Sequence, residues 1–205
     1  MANAGEMLKI VADTIVRPQA TVTSYYSVLR KAGMISTTGR GRSAQDLSAV
    51  DVARILIVML SADNLQEGSV ITHLMGNCWC QPWYEDDKED LGSITFEDAI
   101  ANIITFRANL AKGRPATAHP LLGDLTQSEI VISATPTHLE ALIETKNVSL
   151  PFFGMGSINP GMTYPDDWHE ISIAERLELR AMMEGMKVTR SINDLMIQRI
   201  SESMP

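Results

Sequence analysis

The chain has 205 residues, of which 45% are hydrophobic and 20% charged, with a formal net charge of -8 at neutral pH. That balance excludes a disordered chain and suits one large domain, or a small head on a larger body. Nowhere does an apolar run approach the roughly 18 residues of a membrane-spanning helix; the longest greasy stretch, Ile55 to Ala62, has the length of a buried helix.

The opening MANAGEMLKI lacks the charged start, apolar centre and cleavage site of a secretory leader, so a cytoplasmic protein is expected. In chain order, Met7 to Ile15 reads as a first helix, with Leu8, Val11, Ala12 and Ile15 on one face. Arg17-Pro18 breaks it, and Pro18 suits the first turn of a second helix. That helix, 18–32, turns Val22, one of Tyr25 and Tyr26, and Leu29 inward, and Gly33 is its expected left-handed cap. Met34 to Thr37 is β-prone, Thr38-Gly39-Arg40-Gly41-Arg42 is a turn, and Ser43 to Leu47 can return as a second strand. Ser48 with Asp51 forms a capping-box pair for a helix that is apolar almost all round.

Residues 64–92 carry little periodic signal, and the acidic run from Glu85 to Asp90 reads as a solvated loop. Thr95 with Asp98 caps a helix that runs through Ile103, Ile104 and Leu110 to Gly113. Glu129 to Ala134 and Val148 to Phe153 are strand candidates, while His138 to Lys146 is either a short helix or an extended segment. Ile171 to Met186 and Ser191 to Met204 read as closing helices. The expected fold is therefore α+β: a mainly helical head over 1–62 and an acidic α+β body over 63–205, the boundary soft and the helix 48–62 shared by both.

Charge is divided along the same line. Residues 1–45 hold six Lys and Arg against two acids, net +4, whereas the remaining residues hold 11 against 23, net -12. A basic head on an acidic body points to a polyanionic partner for the head.

Catalytic and metal constellations are weak by comparison. Cys78 and Cys80 stand one residue apart with His73 upstream, which is not the ligand spacing of a zinc site, and a bridge between them would be strained. Ordinary buried thiols are expected there. His73, His119, His138 and His169 are scattered, no nucleophile or metalloprotease motif is present, and Gly154-Met155-Gly156 lacks the third glycine of a nucleotide loop. No catalytic residue, metal ligand or cofactor is assigned. The methionines of the last two helix candidates, Met182, Met183, Met186 and Met196, read first as core filling and second as an adaptable partner surface.

The head has the parts of a DNA reader. A major groove admits one α-helix, whose polar side chains meet base edges. Gln19, Thr21, Thr23, Ser24, Tyr26 and Ser27 supply hydrogen-bonding groups along the outward side of helix 18–32. Arg30 and Lys31 suit phosphates, and Arg40 and Arg42, separated by glycine, suit the backbone or a narrow minor groove. The segment resembles a winged helix-turn-helix, and is similar to the heads of MerR-like regulators and of related small-terminase subunits of phages. The likeness rests on Ala20-Thr21-Val22-Thr23, Tyr25-Tyr26-x-x-Leu29, Ala32-Gly33-Met34-Ile35, the Gly39-Arg40-Gly41-Arg42 wing and Asp51-Val52-Ala53-Arg54-Ile55, about a quarter of the chain. Three features depart from it: no glycine in the Ile15-Val16-Arg17 turn, no aromatic in the wing, and no long coiled-coil helix.

The resemblance implies a non-enzymatic, sequence-specific transcriptional regulator that binds double-stranded DNA as a homo-oligomer, a dimer above all. A phage-type packaging subunit is the alternative on DNA. A protein-interaction module using the winged helix as a docking surface is the alternative away from it.

Overall fold

A computed structural model describes residues 3–36, 46–80, 94–123, 129–136, 139–146, 149–154 and 190–204. The Gly-Arg-Gly-Arg turn with Arg40 and Arg42, the acidic run 85–90, His138, His169 and the helix candidate 171–186 all lie outside the described residues.

Helix α1 spans Ala4–Thr14 and opens on a reciprocal capping box: Asn3 Oδ1 accepts the Glu6 N–H at 3.0 Å, and Glu6 Oε2 accepts the Asn3 N–H at 3.0 Å. Met7, Leu8 and Val11 form its buried stripe. Helix α2 spans Gln19–Lys31 and buries Val22, Tyr25 and Leu29, one narrow stripe of a helix otherwise in solvent. Helix α3, Ala49–Ser61, is the opposite case: Val52, Ile55, Leu56, Ile57, Val58 and Leu60 are all buried, so it is wrapped on every side. Its start is the expected box, with Ser48 Oγ accepting the Asp51 N–H at 3.1 Å and Asp51 Oδ2 accepting the Ser48 N–H at 2.9 Å.

Helix α4 (Gly68–Gly76) and the two-residue strands β1 (Trp79–Cys80) and β2 (Ile94–Thr95) carry the chain to α5, Phe96–Ala111. Thr95 caps α5 by accepting the Asp98 N–H at 3.1 Å. A 3-10 turn at Pro120–Leu122 leads to strands β3 (Val131–Thr135), β4 (Glu140–Glu144), β5 (Ser149–Phe153) and β6 (Arg190–Asn193), then helix α6 (Asp194–Ser203). The six strands form one antiparallel sheet in the order β2-β1-β5-β4-β3-β6. The described chain is thus α+β, six α-helices with a six-stranded sheet.

Alternation sets the face of the sheet. Ile132 and Ala134, Ala141 and Ile143, Leu150 and Phe152, and Ile192 point into the core, while Ser133, Leu142 and Pro151, partners in register, take the other face and are half-buried. Phe96 at the start of α5 meets Phe152 of β5 with ring centroids 5.3 Å apart and planes tilted by 54°, joining helix layer to sheet. One buried cluster runs from Met7 to Met204. Helix α3 touches α2, α4, α5 and β3, and α1 packs on α6, so the core is continuous across residue 62.

Two local expectations are corrected, and one open choice is decided. The segment Ser191 to Met204 is not helical throughout: 190–193 pair with β3, Ile192 opposite Ile132, before Asn193 caps α6. The free edge of β3 offers those backbone groups a ladder that an isolated helix could not match. The segment left open between helix and strand is strand β4, with β3 on one side and β5 on the other. Residues 34–36, 46 and 47, the described part of the two strands expected over 34–37 and 43–47, are not paired as strands. The Ser36 and Ser48 N–H groups go to the Asp51 carboxylate instead, and Ile35 and Leu47 are anchored in the core.

Candidate nucleic-acid interface

Helix α2 is positioned by the turns at its two ends. At its C-terminal end, the Gly33 N–H donates to Arg30 O at 3.1 Å and the Met34 N–H to Leu29 O at 3.0 Å, with Gly33 at φ +73°. This pairing is a Schellman motif, whose left-handed residue suits glycine. At its N-terminal end, the Arg17 N–H donates to Ala12 O at 2.9 Å, closing α1 with the longer of those two bonds, and Val16 takes the left-handed position at φ +54°. Pro18 follows as the N-cap and offers no side-chain acceptor.

The residues expected to read DNA occupy one side of this helix. Gln19, Thr23, Ser24, Ser27, Arg30 and Lys31 are exposed, and Thr21 and Tyr26 are half-buried at its margins. Of the two tyrosines, Tyr25 is the inward one; burial raises its phenol pKa above the ordinary value. The centre of the outward face is made of two rows, Ala20–Ser24 and Thr23–Ser27–Lys31, each at a spacing of four residues. Ser24 Oγ donates to Ala20 O and Ser27 Oγ to Thr23 O, both at 2.8 Å. The hydroxyl protons are therefore satisfied within the helix, and the oxygens keep lone pairs that can accept from the amino groups of adenine or cytosine.

The electrostatics of α2 differ from those of most of the other helices. Helices α1, α3, α5 and α6 each have a side-chain cap and an acid in the first turn, whereas α2, like α4, has neither. The positive end of its dipole is left for an external anion. Arg30 and Lys31 sit in its last turn, where they also favour the helix itself by about 0.3–1 kcal/mol.

Two charged-type side chains of α3, the buried Asp51 and the half-buried Arg54, neither singled out from sequence as functional, hold the segment that follows α2. Asp51 is 1% exposed. It accepts the Ser36 N–H at 3.0 Å, the Ser48 N–H at 2.9 Å and the Ser48 hydroxyl at 2.8 Å. Arg54 donates to Met34 O and grips Glu97 of α5 through Nε at 2.8 Å and Nη2 at 2.7 Å. The Glu97 hydrogen bonds raise the Arg54 pKa further above its ordinary value. Both ends of segment 37–47 are thereby tied to one carboxylate. A charged pair inside an apolar helix was the sequence signal available, since such residues are seldom buried without partners.

The other candidates do different work. Cys78 and Cys80 are free and buried, and burial pushes their thiols up to about 12 and about 11. Cys78 donates to Leu139 O at 3.3 Å. His119 Nδ1 accepts the Leu121 N–H at 3.3 Å, fastening the 3-10 turn, and exposed His73 lies against Asn77. Among the described residues no three His, Cys, Asp or Glu side chains converge as a metal site would require. An open cleft of about 570 Å³ is lined by Val50, Ile94, Asp98, Asn102, Thr105 and His119 among others, with no contribution from α2. No described helix is long and apolar enough to cross a membrane.

No known protein family, curated protein or solved structure matches this chain.

Proposed function

We propose that this chain is a sequence-specific DNA-binding protein, a transcriptional regulator that lays α2 in the major groove and sets Arg40 and Arg42 on the adjacent backbone or minor groove. One observation carries the reading: α2 has an exposed polar face without an acid. It lies in a stretch, residues 14–45, with five Lys and Arg and no Asp or Glu, in a chain of net charge -8. Short hydroxyl and amide side chains suit base edges, and the paired cations at the end of α2 suit phosphates. The uncapped start of the helix offers a place for a further phosphate. Two copies of such a head on a two-fold axis match a pair of half-sites one helical turn apart, and a homodimer is the proposed working form.

Electrophoretic mobility of the full chain on duplex DNA, at rising salt, tests the reading. The expected result is an affinity that falls steeply with salt, with a log-log slope that drops by about 0.9 for each phosphate contact removed. Arg30→Ala/Lys31→Ala and Arg40→Ala/Arg42→Ala should each lower that slope. Absent or salt-independent binding overturns the proposal and leaves a protein-docking module as the use of α2.

A further inference from the structure

We infer that Val16 is a specificity-determining residue of the α1–α2 turn, its side chain placed to meet a thymine methyl beside the start of α2. This rests on the DNA reading above. Helices α2 and α5 end in the full motif, and α1 shares its longer bond, from the Arg17 N–H to Ala12 O; the contrast among them is chemical. In α2 and α5 the left-handed position is glycine, Gly33 at φ +73° and Gly113 at φ +64°; the Gly113 and Arg114 N–H groups bond Leu110 O and Asn109 O as their counterparts do after α2. In α1 the position is a β-branched residue, Val16 at φ +54°. The left-handed region is unfavourable for such a side chain.

The one other non-glycine residue at positive φ among those described is Leu139, at φ +49°. Its side chain is 3% exposed, and its carbonyl accepts the Gly154 N–H and the Cys78 thiol, so packing and hydrogen bonds hold it there. Val16 has no such return. It is 82% exposed, more than any other large hydrophobic residue described. A left-handed, solvent-facing isopropyl group carries a conformational cost that no burial within the chain offsets, which points outside the chain for its use. Its neighbours Arg17 and Gln19 are exposed, and it leads directly into the acid-free end of α2. An apolar group at the edge of a cationic, hydrogen-bonding surface is what contact with the C5 methyl of thymine requires.

The test begins with duplexes selected by the full chain from a randomised pool. Each thymine of the selected site is then replaced singly by deoxyuracil, which removes one methyl and no charge. The wild-type protein should lose about three- to fourfold in affinity at one thymine, the value of one buried methyl. Val16→Gly should bind the selected site more weakly and show no further loss at that thymine. Val16→Asn, whose side chain tolerates left-handed backbone, should behave like Val16→Gly. Val16→Gly should also melt about 2–4 °C higher, because the strain is relieved. The inference is overturned if wild type and Val16→Gly respond equally to every methyl removal, or if Val16→Gly keeps the full affinity. Failure of the wild-type chain to bind any duplex overturns the DNA reading, and the inference with it. The melting difference separates a strained turn from an unstrained one in either case.

Discussion

Helices α2 and α3 have the same length, 13 residues, and opposite relations to the fold. Nine residues of α3 are buried, including a charged Asp51, and even the half-buried Arg54 is consumed by internal partners. In α2 only three residues are buried, and apart from Ala20 and the half-buried Val28 the rest of its surface is polar or cationic and free of acids. The difference teaches where to look for function. The composition of α3 is explained by packing and internal pairing, whereas the outward face of α2 is not fixed by packing, which leaves it open to the proposed role.

Substitutions sharpen that contrast, and the largest effect belongs to α3. Leu56→Ala should lower unfolding free energy by about 2–5 kcal/mol, the loss of buried surface plus a cavity, measured by denaturant titration. Next is Asp51→Ala, which strands the Ser36 and Ser48 N–H groups and removes a cap. A loss of about 2–3 kcal/mol is expected, together with faster amide exchange at Ser36 and Ser48. A loss below half a kcal/mol would show that the carboxylate does not hold those two strands of backbone together.

The buried thiols predict an effect confined to alkaline pH. Cys78 and Cys80 have folded-state pKa values raised by burial to about 12 and about 11, above the 9.0 of a free thiol. Between those limits the unfolded chain releases protons that the folded chain keeps. Stability is therefore fully present below about pH 9 and declines as pH rises toward the folded values, by up to about 1.4 kcal/mol per pH unit for each thiol. Cys78→Ala should flatten that decline in a pH series of unfolding curves; an unchanged slope would contradict the burial of the thiol.

At the small end, Thr23→Ala/Ser27→Ala in α2 should change stability by less than about 0.5 kcal/mol, since exposed alanine is at least as good a helix former. DNA affinity, measured alongside, should fall severalfold. A double variant that unfolds the protein would break the distinction between the two helices, and one that leaves both stability and binding intact would empty α2 of its proposed role.

Much of the helical layer could be read from single residues. The Ser48-Asp51 box and the Thr95 cap started α3 and α5 where expected, and Gly33 and Gly113 closed α2 and α5, because capping is decided within a few residues of chain. Strands β3 and β5 were visible as short β-branched or aromatic runs. Strand β6 was not, because 190–204 is amphipathic in more than one way and only the open edge of β3 selects the extended form for its first four residues. The left-handed Val16 was equally hidden: sequence offered a missing glycine, and only the backbone shows that the turn keeps the glycine geometry without the glycine. Of the candidate site, the outward set on α2 was legible from helical spacing, while the separation of Tyr25 from Tyr26 was not.

Local chemistry, then, was enough to set the starts of α3 and α5, the ends of α2 and α5, the charge division between residues 1–45 and the rest, and the polar face of α2, since each depends on neighbours in sequence. Partners far apart in sequence decided the rest. The choice of strand for β4 and β6, the union of α1 with α6, and the grip of Asp51 and Arg54 on the ends of segment 37–47 exist only once distant backbone and side chains share one dry core. There an unpaired donor or charge costs more than the order needed to pair it.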